Sequence, residues 1–213
     1  MDYFSLEYPK IKSVFKRGED FKFIEGAWRL DEFNYLRNVD WIATEKIDGM
    51  NIRVMWNAEQ KIVVFAGRTD KAMLPGMLSM RLHELFPPEK FEKYETDIIL
   101  YGEGFGKGIQ EKGKLYSDKQ DFILFDKVYR RGSKYIFVDD DELTRTAEEF
   151  EIMRVPIVAC APLTDIIDIV KGGLQSLFGS FMAEGVVAKP LYEMSDRYGH
   201  RIITKIKHND FRR

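Results

Sequence analysis

About eight short segments rich in branched and aromatic residues follow one another along this chain, mostly with turns between them too short to hold a crossover helix. They are IRVMW (52–56), KIVVFAGR (61–68), DIILYGE (97–103), DFILFDKVY (121–129), KYIFVD (134–139), VPIVACAPL (155–163), GVVAKPL (185–191) and RIITKIK (201–207). Neighbours linked by NAEQ (57–60) or by the RRGSK turn (130–134) pair antiparallel, because parallel strands need a connection of a dozen or more residues. Helical periodicity is confined to three places. LSMRLHELF (78–86) is stopped by Pro87 and Pro88, ELTRTAEEFEIM (142–153) follows an acidic run suited to N-capping, and TDIIDIVKGGLQSLF (164–178) carries a Gly-Gly interruption. Residues 1–40 have mixed periodicity and read as short helical or irregular pieces before the first clear strand, which begins at Trp41. The pattern predicts an α+β fold of antiparallel sheets with flanking helices. With no repeat, low-complexity stretch or linker, 1–213 reads as a single domain.

Composition narrows the function classes. No apolar run approaches the roughly 20 residues that span a bilayer, and the charged N-terminus lacks a signal-peptide core. The single Cys160 excludes an internal disulfide and fits a reducing compartment, so a cytoplasmic location is expected. The net charge of −2 rules out a polycation that coats nucleic acid indiscriminately, so any such contact needs a local cluster of cations. Arg130, Arg131 and Lys134 form one cluster, best read as the surface of a turn; Lys205, Lys207, His208, Arg212 and Arg213 form another.

The stretch TEKIDGMN (44–51) places a lysine ahead of a strand. Alone, Lys-x-Asp-Gly is a weak signal, and a polar turn with a solvent-facing lysine is the better reading of it. It is followed, in order, by Arg68 in FAGRTDK, Glu103 in LYGEGFG, Phe125 and Asp126 in FILFDKV, Glu184 to Lys189 in EGVVAK, and Lys205 and Lys207 in TKIK. Lys205 and Lys207 are two apart on a strand and share one face. Glu103 and Glu184 stand beside glycines at strand ends, where a turn can expose them. Phe125 is as readily a core residue as a functional one. A regular strand over 184–189 would put Glu184 and Lys189 on opposite faces, unless Glu184 sits in the turn before it.

With these segments in this order, the sequence resembles the covalent nucleotidyltransferases: ATP-dependent RNA and DNA ligases and mRNA capping enzymes. It most resembles the RNA ligase 2 family, through WIATEKIDG (41–49) and YGEGFGKGIQ (101–110), over about Trp41 to Lys207. The resemblance implies the ligase catalytic domain fold, here without an OB domain, and a lysyl-AMP intermediate on Lys46. Lysine titrates near 10.4, so presenting a neutral amine at pH 7 costs about 4.6 kcal/mol, which nearby positive charge and burial reduce. By the same resemblance Lys205 and Lys207 hold the α-phosphate of ATP, with Lys189 a further ATP contact. Glu45 meets the adenine amino group, Phe125 stacks on the adenine and Glu103 meets the ribose. Glu184 helps bind Mg2+ (or Mn2+), which needs only one or two carboxylates, and Asp48 and Asp126 support the site. Asn51 lies near the reacting phosphate and Arg68 grips the 5′-phosphate of RNA, a task that suits a guanidinium.

Asn51 is typical of RNA ligase 2 proteins, whereas DNA ligases usually carry Arg there. Asp48 departs from the phage members, which tend to have His. Only six residues follow Lys207, so the chain is expected to be a bare catalytic domain needing a helper protein or a missing C-terminal domain to hold RNA, or DNA, strands with 5′-phosphate and 3′-hydroxyl ends. A minimal DNA ligase and a non-catalytic nucleotide- or RNA-binding module remain as alternatives.

Overall fold

The computed structural model describes residues 6–211, which fall into two compact units. One comprises Lys10–Ile47 with Val155–Arg213; the other comprises the residues up to Pro9 with Asp48–Arg154. The chain passes from the first to the second inside the TEKIDG stretch.

In the first unit, β1 (Lys12–Ser13), β4 (Asp40–Glu45), β11 (Ile157–Pro162), β12 (Gly185–Pro190) and β13 (Thr204–Lys207) form a sheet in the order β1-β13-β12-β4-β11. All its pairs are antiparallel except β1 with β13. A hairpin of β2 (Phe15–Arg17) and β3 (Phe23–Trp28), the short α1 (Asp31–Tyr35) and α5 (Leu163–Gly172) complete the unit. Its core joins Val14, Phe33 and Trp41 to Leu163, Ile166 and Val170 of α5 and to Val186, Ala188 and Ile206 of the sheet.

In the second unit, β5 (Met50–Asn57), β6 (Ile62–Gly67), β7 (Ile98–Phe105), β8 (Asp121–Arg131) and β10 (Met153–Arg154) lie in the order β10-β8-β7-β5-β6, with β9 (Lys134–Phe137) also paired to β8. Only β10 runs parallel to its neighbour. The helices of this unit are α2 (Gly76–Leu85), the short α3 (Gly113–Tyr116) and α4 (Asp140–Phe150); α2 and α4 add Leu78, Leu82, Leu143 and Phe150 to a core centred on Ile52, Val54, Trp56, Leu100 and Phe122. The acidic run caps α4 as expected: Asp139 accepts a hydrogen bond from the backbone N–H of Glu142 at 2.8 Å. Among the described residues no helix is long and apolar enough to cross a membrane.

Two expectations are corrected. Among the described residues, the segment before β4 holds three strands and one helix, not only helical or irregular pieces. Its strands are two, three and six residues long, and β3 is largely exposed, so none has the period-2 alternation that identifies a strand with one buried face. The helix expected over 164–178 ends at Gly172, and the residues after it form a loop whose only ladder contact is a bridge between Gln175 and Met182. Glu45 holds that loop by hydrogen bonds from Ser176 and Leu177, a competing set of partners that helical periodicity does not reveal.

Candidate active site

Lys46 follows directly on β4, and its backbone N–H donates to the carbonyl of Gly185 at 2.9 Å. That bond sets the end of β4 against the start of β12, and Glu184 is the residue just before that strand. The neighbour of Glu184 has to be glycine. Gly185 has φ +150, and a Cβ there would lie 2.0 Å from the carbonyl oxygen of Ile206. The close approach of β12 to β13 brings Glu184 to both lysines. Its Oε2 is 2.6 Å from Lys46 Nζ and its Oε1 is 2.5 Å from Lys207 Nζ.

The lysines of β13 share a face, as their spacing requires: Thr204 and Ile206 are buried, while Lys205 and Lys207 are half-buried on the other side. Register places Val187 opposite Lys205, so Lys189, two residues along β12, lies on the same face as the two β13 lysines. Glu184 lies outside the strand, so strand parity does not apply to it. Lys189 nevertheless pairs with Glu193, at 3.8 Å, not with Glu184. The basic tail divides: His208 Nδ1 lies 2.9 Å from the Val170 carbonyl, while Arg212 and Arg213 lie outside the described residues.

The electrostatics follow from three ammonium groups facing one carboxylate. Burial favours the neutral form of Glu184, but Lys46 and Lys207 outweigh it and hold the carboxyl below its ordinary value. Burial pushes Lys205 down, and the charges of Lys207 and Lys46 push it further, against a weaker opposing pull from Glu184. The cluster therefore has excess positive charge and suits a polyphosphate. Among the described residues no group of three or more carboxylate, imidazole or thiol ligands could hold a metal. A single carboxylate is still enough for Mg2+ or Mn2+ that takes its other ligands from phosphate and water, and Glu184 meets that requirement.

Glu45 is nearly fully buried. Its Oε1 accepts from Ser176 Oγ at 2.6 Å and its Oε2 from the Leu177 N–H at 2.8 Å, so the protein itself engages the group expected at the adenine. Spacing gave no signal for Ser176, which lies 131 residues away.

The second unit carries the remaining residues. Gly49 must be glycine because a Cβ would stand 2.3 Å from the Gly104 carbonyl and 2.7 Å from Glu103 Cγ. This draws the start of β5 against β7, and Asn51 stands directly opposite Glu103. Asn51 Oδ1 is buried without a hydrogen-bond partner, an arrangement that normally leaves a cost unless a ligand or water supplies a donor. The Asp48 backbone N–H lies 3.4 Å from the Tyr116 hydroxyl, and Arg68 is exposed one residue beyond β6.

Phe125 occupies a β-bulge. Tyr101 pairs with Asp126 and Gly102 with Leu124, which leaves Phe125 as the extra residue of β8. Its flanking residues are buried while it is only half-buried, so it is not a plain core side chain. Its ring meets Tyr8 edge-on, with centroids 5.1 Å apart. Asp126 is buried and accepts from the Tyr8 hydroxyl at 2.8 Å. Mixed periodicity before Trp41 concealed the part played by Tyr8.

The RNA ligase family model matches residues 39–207, most of the chain. Solved structures of a Naegleria gruberi RNA ligase share the fold. An Arg-to-Ala mutant with ATP and Mn matches with TM-score 0.71 and 17% identity, over 97% of this chain and 57% of that one. A Lys-to-Met mutant with AMP and Mn matches with TM-score 0.67 and 18% identity, over 96% and 58%. This chain thus spans less than two-thirds of the length of the Naegleria protein. No curated protein matches it. The match over 39–207 contains every site residue from Lys46 to Lys207, and the chain belongs to the RNA ligase family.

Proposed function

We propose that this enzyme is an ATP-dependent RNA ligase of the RNA ligase 2 branch that joins 5′-phosphate to 3′-hydroxyl ends through a lysyl-AMP intermediate. The observation that carries the reading is the cluster of Lys46, Glu184 and Lys207, with Lys205 on the same strand face as Lys207, inside the family match.

The neutral amine of Lys46 attacks the α-phosphorus of ATP, a P–N bond forms, and the P–O bond to pyrophosphate breaks. Lys205 and Lys207 face the charge that grows on the phosphate oxygens and on the departing pyrophosphate. Glu184 would help hold a Mg2+ or Mn2+ ion, which would supply further charge neutralisation. Burial and the neighbouring charges of Lys207 and Lys46 disfavour the charged form of Lys205, and a phosphate would give it a partner. In the second step a 5′-phosphate oxygen attacks the lysyl-AMP phosphorus, and Lys46 leaves with a proton. In the third, a 3′-hydroxyl attacks the adenylated 5′-phosphate and AMP departs. Glu103 and Phe125 serve the nucleoside, and Lys189 adds an ATP contact from the shared lysine face. Asn51 and Arg68 act on the strand phosphate. The Naegleria structures solved with ATP and Mn, and with AMP and Mn, support the choice of nucleotide and cation.

The test uses labelled ATP with Mg2+, followed by transfer to 5′-phosphorylated RNA and DNA. RNA with a ribonucleotide 3′ end should be joined in preference. Equal or better joining of DNA would favour the minimal DNA ligase, in line with Asp48. A protein that binds ATP but takes no label would be a non-catalytic module. Asn51→Ala and Arg68→Ala should each retain labelling and slow the later steps by about 10–1000-fold, the range for losing a positioned phosphate contact. If both lose labelling as completely as a Lys46 variant, while joining of pre-adenylated RNA survives, the assigned division of labour is wrong.

A further inference from the structure

Arg53 is an anomaly in β5. It stands among Ile52, Val54, Met55 and Trp56, all buried, and is itself 0% exposed. A guanidinium is stable there only with its donors and charge met. Its Nε donates to the Gly67 carbonyl at 2.8 Å and its Nη2 to Asp70 Oδ1 at 2.6 Å. The Asp70 side chain is 59% exposed, so the counter-charge stands at the surface and not in the core. These contacts bracket one residue of the candidate site. The Gly67 carbonyl belongs to the peptide that leads into Arg68, and Asp70 lies two residues beyond it. The Ala72 N–H donates to the Thr69 carbonyl at 3.1 Å and closes the turn.

We infer that Arg53 and Asp70 are positioning residues that hold the Arg68 turn in the shape required to grip a strand's 5′-phosphate. The inference rests on the proposed ligase reading for the role of Arg68. Geometry explains why the buried residue is arginine. A planar fork meets a carbonyl and a carboxylate in two fixed directions, whereas the point charge of lysine fixes neither. With its flanks tied, Arg68 loses less backbone freedom on meeting a phosphate than it would from a mobile loop.

A plain structural staple would affect every step alike, so the test separates the steps. Asp70→Ala and Asp70→Asn remove the counter-charge of a buried guanidinium, so both should unfold at a lower temperature than the parent, and every readout is taken well below that midpoint. Three readouts are compared: self-adenylation, AMP transfer to 5′-phosphorylated RNA, and hydrogen exchange at residues 67–72. Asp70→Ala should adenylate near the parent rate and show faster exchange at 67–72. Its transfer should slow about 10–100-fold, mainly through a higher KM for the strand. Asp70→Asn, which keeps an acceptor, should recover part of the transfer, and Arg53→Lys should resemble Asp70→Ala. Unchanged exchange, parent-level transfer, or an equal fall in adenylation and transfer would each overturn the inference. A parent protein that forms no lysyl-AMP would refute the ligase reading by itself, and exchange at 67–72 would still decide whether Asp70 fixes the turn.

Discussion

Lys46→Ala should take no AMP from ATP and Mg2+, where the parent gains one AMP per chain by intact mass, a loss to background and not a partial one. No other residue in the cluster can replace it. The backbone bond from Lys46 to Gly185 and the bridge through Glu184 fix where its amine stands. Lys205 and Lys207 branch from another strand and share one of its faces. Removing the nucleophile deletes covalent chemistry while leaving the positive face largely in place. The variant should therefore still be stabilised by ATP in thermal unfolding, and should still join strands already adenylated at the 5′ end. A persistent covalent adduct in Lys46→Ala would displace Lys46 from the nucleophile role. Loss of pre-adenylated joining together with labelling would mean that Lys46 acts in the last step too, or that the substitution collapses the site.

The α+β class and the later strands were legible because β5, β7 and β8 are buried on both faces and read as apolar runs. The clustering of Lys46, Glu184 and Lys207 was legible only through motif order, since local periodicity cannot bring together residues separated by 138 positions. Other features left no trace in pattern. The strands before Trp41 are short and exposed. The bulge at Phe125 depends on a register shift between β7 and β8, which side-chain alternation within one strand does not encode. The exception is Arg53: a charge inside IRVMW was visible in the sequence, and a buried arginine always needs partners. Its partners, Gly67 and Asp70, appear only when β6 folds back on β5.

Glu184→Gln should lower self-adenylation by roughly 100–1000-fold, comparable to removing one preorganised electrostatic group from a reacting phosphate or carbonyl. The substitution is nearly isosteric, so the loss would reflect charge. Glu184 bridges Lys46 and Lys207, and the substitution leaves Lys46, Lys205 and Lys207 near one another without that counter-charge. The variant should consequently be less stable at neutral pH by about 1–3 kcal/mol, as expected on breaking a partly buried ion pair. The pH dependence gives a separate check. The folded-state value of Glu184 lies below its ordinary 4.5, so its contribution is fully present above that value and is lost as pH falls through the lower folded value. Urea unfolding of parent and variant should differ most near pH 7, and the gap should narrow as the pH drops below 4.5. A gap that stays constant across the acid range would show that the carboxylate charge is not what holds the two lysines. Full adenylation by Glu184→Gln at saturating Mg2+ would remove Glu184 from the metal-supporting role and leave it a purely structural bridge.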